Sequence, residues 1–239
     1  LLNYGLFKLL NWPPADRLLR QKLDLWWMPH FNLMALPQTC PTVLTVHDLS
    51  FLRYPDFFSW RKNWWHRAVN IKKLSQGAEM VVAISQNTKR DLMELCQLPA
   101  DKIKVIASAV DQQFQPLPST DPQLAIVKQR YQLPDKFILY LGTLEPRKNV
   151  EGLILAYNDL RRHCPYLYDQ ALVIAGANGW KYQTIYDLVK ASPYGQDIKF
   201  LGYLPEADKV YLYNLAGLFV FPSFYEGFGF PPLEAVACG

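Results

Sequence analysis

Two glutamates, Glu226 and Glu234, lie on either side of two glycines and two prolines in the segment EGFGFPPLE. Glycine lets a backbone approach a ligand closely, and proline is tolerated in the first turn of a helix. The unpaired N–H groups of a helix start attract phosphate. The segment therefore predicts a site for an anionic ligand with a carboxylate at each end. The structural alternative is that Glu234 only complements the helix dipole while the glycines turn the chain.

Two further positions carry residue types that suit phosphate or proton chemistry. Arg147 and Lys148 lie in LYLGTLEPRKN, between an apolar run and a helix-like segment, where cations can stabilise charge on a phosphate. The alternative is a solvated pair, although basic residues gain nothing from the dipole at a helix start. His47 directly follows the apolar run PTVLTV. A lone histidine is more often structural, and the adjacent Asp48 either orients the imidazole or caps the loop.

The elements that must position these residues follow from an alternation of short Val/Ile/Leu-rich runs with longer amphipathic segments. This alternation predicts the α/β class, with parallel sheets covered by helices on both faces. Ligands bind such sheets at the carboxyl ends of the strands. The predicted strands are 24–29, 41–46, 79–85, 103–107, 137–142, 171–176, 198–202 and 218–221. The predicted helices are 60–76, 86–96 with Ser85 as N-cap, 184–192, 207–216, and two that begin near 149 and 231.

A polar, proline-bearing stretch at 111–123 predicts a linker. We therefore expect two doubly wound domains, 1–115 and 116–239. Half of the 239 residues are hydrophobic and 19% are charged, which excludes a disordered chain. A net charge of +4 suits anionic substrates or an anionic membrane and is too weak to argue for nucleic acid. The four cysteines are far apart, as in reduced cytosolic proteins.

Several segments together resemble the family 4 glycosyltransferases, which have the GT-B fold. The pattern E-G-F-G-x-P-x-x-E, preceded by VFPSFY and followed by AVACG, is similar to the family's signature. Other matching segments are TVHDLSFLRYP (45–55), VVAISQNTKRDL (81–92), IKVIASAVDQQFQP (103–116), LYLGTLEPRKN (139–149) and IKFLGYLP (198–205). The resemblance implies two Rossmann-like domains facing across a cleft, acceptor-side first and nucleotide-sugar-binding second. It also implies that both are incomplete here, the first lacking its first strand and the second its last part.

The resemblance transfers roles onto individual residues. It implies that His47 and Glu226 lie against the donor sugar, that Lys148 meets the diphosphate and that Glu234 holds the ribose. These three, His47, Lys148 and Glu226, are the predicted catalytic residues. The predicted donor-binding residues are Gly142, Arg147, Tyr203, Leu204, Gly227, Phe228, Gly229 and Glu234. One departure is Thr143, which stands where many members have an arginine; we take it to mark a subgroup.

The implied activity is transfer of a hexose with retention, from a nucleoside diphosphate sugar to a glycan or lipid-linked acceptor in polysaccharide biosynthesis. The EPRKN loop resembles mannosyltransferase-like members, which favours GDP-mannose as donor. The chain contains no Asp-x-Asp pair, so we expect neither a metal nor another cofactor. The alternatives are a non-catalytic nucleotide-sugar-binding or membrane-associated module, or another GT-B enzyme such as an epimerase or phosphorylase. We expect this piece alone to be inactive, because the implied missing parts would close the cleft.

Segment 60–76 mixes five Lys/Arg with three Trp. Basic, aromatic helices can lie on anionic membranes, and equally the tryptophans can pack into the domain while the charges face water. The expected location is the cytoplasm, with peripheral contact at the inner face of the membrane if the first alternative holds.

Overall fold

The computed structural model describes residues 22–33, 35–164, 166 and 169–239. The segment before residue 22, where the first predicted domain begins, lies outside the described residues. The chain divides into two compact units at Ser108/Ala109, and the first unit also includes Glu226–Phe228. The sequence predicted the boundary between residues 115 and 116.

The first unit contains a parallel sheet. Its strands pair in the order β1-β2-β3-β4. The strands are β1 (Trp26–Met28), β2 (Thr42–Val46), β3 (Met80–Ala83) and β4 (Ile103–Val105). All four were predicted, and each is shorter than the apolar run that predicted it. Leu44, Val46 and Val81 are fully buried in its core.

The helices of the first unit connect and cover these strands. They are α1 (Ser50–Arg53), α2 (Trp60–Val69), α3 (Ile71–Gly77) and α4 (Gln86–Cys96). The prediction of one helix over 60–76 was wrong, because Asn70 adopts a left-handed conformation (φ 49°) between α2 and α3. Its side chain accepts a hydrogen bond from the N–H of Lys73 at 3.1 Å and so caps α3. The predicted N-cap of α4 is confirmed, since Ser85 Oγ accepts from the N–H of Thr88 at 3.0 Å.

The second unit contains a second parallel sheet. Its strands are β5 (Phe137–Leu141), β6 (Ala171–Ala175), β7 (Ile198–Gly202) and β8 (Leu218–Phe219). Its helices are α5 (Pro122–Arg130), α6 (Val150–His163), α7 (Gln183–Ala191), α8 (Glu206–Leu215) and α9 (Phe230–Ala237). The sequence predicted all of these except α5, whose first residues fall in the proline-bearing stretch taken for a linker. Asp121 caps it by accepting from the N–H of Gln123 at 2.8 Å.

Successive residues of β5 belong to two different cores. Phe137, Leu139 and Leu141 pack in one cluster, and Ile138 and Tyr140 pack in another. Because successive side chains of a strand point to opposite faces, this strand is buried on both sides. The unit is therefore doubly wound, as the continuous apolar runs predicted.

The strand order of this second sheet reverses beside β5. The strands pair in the order β7-β6-β5-β8, so the chain moves outward from β5 to β7 and then returns to the other side of β5. Open α/β sheets bind ligands at such a reversal, at the carboxyl ends of the strands. The loops that follow β5 and β8 flank this position.

Candidate active site

Glycines lie at the carboxyl ends of three neighbouring strands of the second unit, and backbone hydrogen bonds connect these strand ends. The N–H of Gly142, after β5, donates to the carbonyl of Ala175 at 2.9 Å, and the N–H of Gly176, after β6, donates to Gly202 at 2.7 Å. A Cβ on Gly176, whose φ is 146°, would lie 1.9 Å from the carbonyl oxygen of Gly142. The edge of the sheet at this point is therefore backbone, without room for a side chain at residue 176.

Lys148 lies at the end of the loop that leaves β5. Residues Pro146–Lys148 form a 3-10 turn, and Asn149, in the left-handed conformation, is the N-cap of α6. The Lys148 side chain is half-buried, with its Nζ 5.0 Å from the ring centroid of Phe221. A cation beside a helix start, at the strand-order reversal, can bind an anion together with the free N–H groups of that helix.

Arg147 makes its hydrogen bonds to the protein. Its Nε and Nη2 donate to Oε1 of Glu145 at 3.1 and 2.8 Å, and its Nη1 donates to the carbonyl of Tyr225 at 2.7 Å. The two charged side chains are 13% and 5% exposed. The contact between Arg147 and a diphosphate, which the sequence predicted, remains a prediction.

Glu234 is the fifth of the eight residues of α9, beyond the first turn, and its side chain is buried. Its Oε2 accepts a hydrogen bond from the hydroxyl of Tyr213 on α8 at 2.8 Å. Burial, and then the charge of Glu234, raise the pKa of Tyr213 above its ordinary value, so the phenol stays protonated and keeps donating. Gly229, with φ 96°, is the N-cap of α9.

Glu226, Gly227 and Phe228 group with the first unit. The carbonyl of Glu226 accepts from Nδ2 of Asn87 at 3.2 Å. A Cβ on Gly227 would lie 2.1 Å from the backbone oxygen of His47. The structure thus brings two of the predicted positions together, and the contact requires glycine at residue 227.

His47 follows β2, as predicted, and is exposed. Its Nε2 lies 2.9 Å from the carbonyl of Pro29, and because a carbonyl only accepts, Nε2 carries the proton. Asp48 does not orient this ring. Its Oδ1 accepts from the N–H and the hydroxyl of Ser50 at 2.9 and 2.6 Å, so the capping alternative is confirmed.

His30 is a neighbour of His47 that the sequence analysis passed over. The two rings lie 5.8 Å apart. Burial first, and then His47, lower the pKa of His30, while Asp48 raises it. The signal was its position, because His30 lies two residues after β1, His47 directly follows β2, and these strands are parallel neighbours.

The two predicted donor-binding residues after β7 differ in exposure, one side chain being exposed and the other buried. Tyr203 is 75% exposed, whereas Leu204 is 5% exposed and belongs to a core cluster. Only Tyr203 offers a ring to a ligand, so a contact from Leu204 would come from its backbone. Among the described residues, no group of His, Cys, Asp or Glu is arranged to hold a metal ion.

Two family models match the chain in succession. One, described as Glycosyltransferase Family 4, matches residues 2–114, and the other, described as Glycosyl transferases group 1, matches residues 124–239. The chain belongs to the family 4 glycosyltransferases. The signature around Glu226 and Glu234, the loop 139–149 and the histidine loop therefore indicated the family correctly.

Two mannosyltransferases from Escherichia coli are similar to this chain. O-antigen chain mannosyltransferase B is 34% identical over 234 residues, which are 94% of this chain and 60% of that protein. The serotype-specific mannosyltransferase WbdA is 36% identical over 201 residues, which are 83% of this chain and 24% of that protein. The chain therefore spans less than two thirds of the length of the first relative and about a quarter of the length of the second.

Solved structures show the same GT-B fold. WaaG, a glycosyltransferase involved in lipopolysaccharide biosynthesis, has a TM-score of 0.69 at 14% identity. The superposition covers 93% of this chain and 60% of the WaaG chain. Anabaena HepE, in complex with UDP and glucose, has a TM-score of 0.65 at 23% identity, covering 83% of this chain and 51% of its own. The two Rossmann-like units of this chain are those of the GT-B fold.

Proposed function

We propose that the protein transfers a hexose from a nucleoside diphosphate sugar to a glycan or lipid-linked acceptor, with retention at the anomeric carbon. The observation that carries the proposal is Lys148, held beside the start of α6 where the strand order reverses. The similarity to mannosyltransferases of Escherichia coli favours mannose, and hence GDP-mannose, as the donor.

The main requirement of this chemistry is that the charge developing on the leaving group is stabilised. As the glycosidic bond of the donor breaks, negative charge develops on the nucleoside diphosphate. Lys148 and the N–H groups at the start of α6 would stabilise that charge, because cations and helix starts fixed in advance need no reorganisation during the reaction. The backbone edge formed by Gly142 and Gly176 would let the diphosphate lie close to the sheet.

Retention fits a substitution in which the acceptor attacks the anomeric carbon on the same face of the sugar from which the phosphate leaves. The bond from the anomeric carbon to the phosphate oxygen breaks as the bond to the acceptor oxygen forms. The acceptor proton passes to the leaving phosphate oxygen, so atoms and charges balance without a protein nucleophile. His47 and Glu226 would contact the sugar, and Gly227, Phe228 and Gly229 would approach it with their backbones.

The nucleoside would be held mainly by uncharged contacts and by Glu234. One oxygen of Glu234, Oε2, is occupied by Tyr213, which fixes the carboxylate so that Oε1 can accept from the ribose. Tyr203 supplies an exposed ring on which a base can stack. No metal is required in this proposal, since Lys148 and the helix start provide the positive charge.

A ligand panel followed by a transfer assay tests the proposal. The protein is titrated with GDP-, UDP- and ADP-sugars, and thermal shift and calorimetry report binding. Transfer to an acceptor glycan is then followed by NMR, which identifies the anomeric configuration of the product. We expect binding of GDP-mannose and an axial, α-linked product in the presence of excess EDTA. Inversion, or activity lost to EDTA and restored by Mn²⁺, would contradict the proposal.

The same panel and transfer assay distinguish a glycosyltransferase from the non-catalytic alternative. A nucleotide-sugar-binding module would bind the donor and show neither transfer nor hydrolysis when the complete protein and an acceptor are present. An epimerase would change the sugar of the donor without an acceptor. Transfer that depends on the acceptor supports the glycosyltransferase.

We also propose that α2 contacts an anionic membrane from the cytoplasmic side. Trp60 and Trp64, one turn apart, are 74% and 66% exposed. Arg61 lies over the ring of Trp60, with Cζ 5.3 Å from the centroid. The sequence from 57 to 78 contains five Lys/Arg and no Asp or Glu, so this surface attracts anionic lipid. None of the described helices is long and apolar enough to cross a membrane.

Co-sedimentation with vesicles tests this contact. Trp60→Ala and Trp64→Ala together should reduce binding to phosphatidylglycerol vesicles about tenfold. Trp27→Ala is the matched control, because Trp27 is 64% exposed but lies on β1. The contact would be contradicted if Trp27→Ala lost as much vesicle binding as the double variant, or if the unaltered protein bound neutral vesicles as well as anionic ones.

A further inference from the structure

The loops after β5 and β8 are joined by hydrogen bonds that centre on Arg147. Its guanidinium bridges Glu145, within its own loop, and the carbonyl of Tyr225, in the other loop, at 2.7–3.1 Å. Its own carbonyl accepts from the N–H of Phe224 at 2.9 Å and lies 3.2 Å from the hydroxyl of Ser223. Both the side chain and the backbone of one residue therefore connect the two loops.

Neighbouring residues continue the connection. Asn149 Nδ2 donates to the carbonyl of Pro222 at 3.3 Å. The segment 222–225 thus lies along the turn that ends in Lys148, and the next residue, Glu226, belongs to the signature. A change in Arg147 would reach both Lys148 and Glu226 through the backbone.

The charge of Arg147 is balanced where it lies. Glu145 is almost completely buried beside it, at 5% side-chain exposure, and an unpaired charge so buried would be strongly destabilising. Since the pair is close to neutral as a unit, it adds little to the field at a bound diphosphate. The other cation of this turn, Lys148, is the one that the proposed function places at the diphosphate.

We infer that Arg147 is a positioning residue, whose bridge between Glu145 and Tyr225 fixes the loop that leads into Glu226 against the turn that carries Lys148. This inference rests on the proposed function, in which these two residues meet the donor. An error of about 1 Å in the placement of such groups can reduce turnover about 10²-fold.

The bridge requires arginine rather than any cation. The planar guanidinium donates in several directions at once, so one side chain reaches a carboxylate and a carbonyl together. A lysine has a single ammonium group and cannot reproduce both contacts at these distances. A direct diphosphate ligand, by contrast, would keep much of its effect as lysine.

Hydrogen exchange on the complete, ligand-free protein tests the bridge. We expect Arg147→Ala, Arg147→Lys and Glu145→Gln each to speed amide exchange over 222–225 by about tenfold or more. Arg161→Ala is the matched control. Arg161 lies in the same unit, its side chain is 10% exposed, and it pairs with Asp197 at 2.9 Å, away from both loops. It should lower stability without changing exchange over 222–225.

Kinetics separate positioning from direct contact. We expect Arg147→Lys and Glu145→Gln to lose about 10–100-fold in kcat, and the double variant Glu145→Gln/Arg147→Ala to be no worse than Arg147→Ala. A direct ligand predicts the opposite, with activity retained by Arg147→Lys and by Glu145→Gln.

The two possible failures are distinguishable. The exchange experiment needs no donor, so unchanged exchange in Arg147→Ala overturns the positioning role whatever the activity. Rescue of both exchange and kcat by lysine also overturns it. Absence of donor binding by the unaltered protein overturns the proposed function alone.

Discussion

The carboxyl ends of the two sheets are built in different ways. In the second unit, backbone hydrogen bonds connect the ends of β5, β6 and β7. The turn that follows β5 is held to the loop that follows β8 by Arg147. In the first unit, His30 and His47 lie just beyond the ends of β1 and β2, and their rings lie 5.8 Å apart. A hydrogen bond to the Pro29 carbonyl is the contact that orients His47.

The difference indicates a division of tasks. Backbone groups that are paired within the sheet have no rotamers to lose, so they form a rigid surface against which a ligand can lie. Exposed side chains adapt more readily to different ligands. Under the proposed function, the second unit would hold the nucleoside diphosphate of the donor, and the first unit would contact the sugar and the acceptor.

The largest expected effect is on the stability of the paired edge in the second unit. Gly176→Ala would place a Cβ 1.9 Å from the Gly142 carbonyl and should lower the free energy of unfolding by about 4 kcal/mol. Gly202→Ala is the control, because Gly202 also has a positive φ, 71°, but nothing lies within 4 Å of its Cβ position. It should cost about 1–2 kcal/mol. Equal losses in urea unfolding would show that the edge is not tightly paired.

The second-largest expected effect is on the turnover number, kcat. Lys148→Ala should reduce kcat by about 10²–10³-fold, comparable to the loss of one oxyanion donor. Lys136→Ala is the control, since Lys136 precedes β5 at the opposite end of the strand and pairs with Asp169 at 2.5 Å. Steady-state kinetics of the complete protein measure both. If Lys148→Ala is nearly silent, the charge at the second sheet does not serve the leaving group.

A smaller effect is expected on donor affinity. Glu234→Ala should raise the KM for the donor about 10–100-fold, the usual range for a hydrogen bond to a charged group. At saturating donor kcat should change little, because the ribose is unchanged by the reaction. Tyr213→Phe should also raise the KM for the donor, but by a smaller factor. Loss of kcat at saturating donor would assign Glu234 to the chemical step instead.

The last prediction concerns the stability of the first unit and its dependence on pH. Burial lowers the pKa of His66 to about 4, from 6.5, so between these values the unfolded chain binds more protons than the folded one. Stability therefore falls as pH decreases from about 6.5 toward 4.

Unfolding titrations of one pair of variants measure this dependence. His66→Phe, which keeps a ring stacked on Phe51 at the 3.9 Å of the native pair, should remove part of the pH dependence. His163→Gln, a change at an exposed histidine of α6, is the control. An unchanged dependence in His66→Phe would show that the first unit accommodates a charged ring at this position.

Local patterns in the sequence predicted most of the elements. The apolar runs located all eight described strands, and the cap at Ser85 was correct because an N-cap depends on bonds within one turn. The break at Asn70 was missed, since the periodic pattern continues across it. Helix α5 was missed because its first residues share the composition of a linker.

The sequence by itself determined the fold class, the family and the candidate residues, because periodicity and motifs are local properties of the chain. Only the tertiary structure decided how the charges are used. Arg147 and Lys148 are adjacent and alike in sequence, yet one is paired with a buried carboxylate and the other lies over a phenylalanine ring. The reason is that pairing across loops far apart in sequence depends on the strand order. In this chain the reversal at β5 brings residue 147 against residue 225.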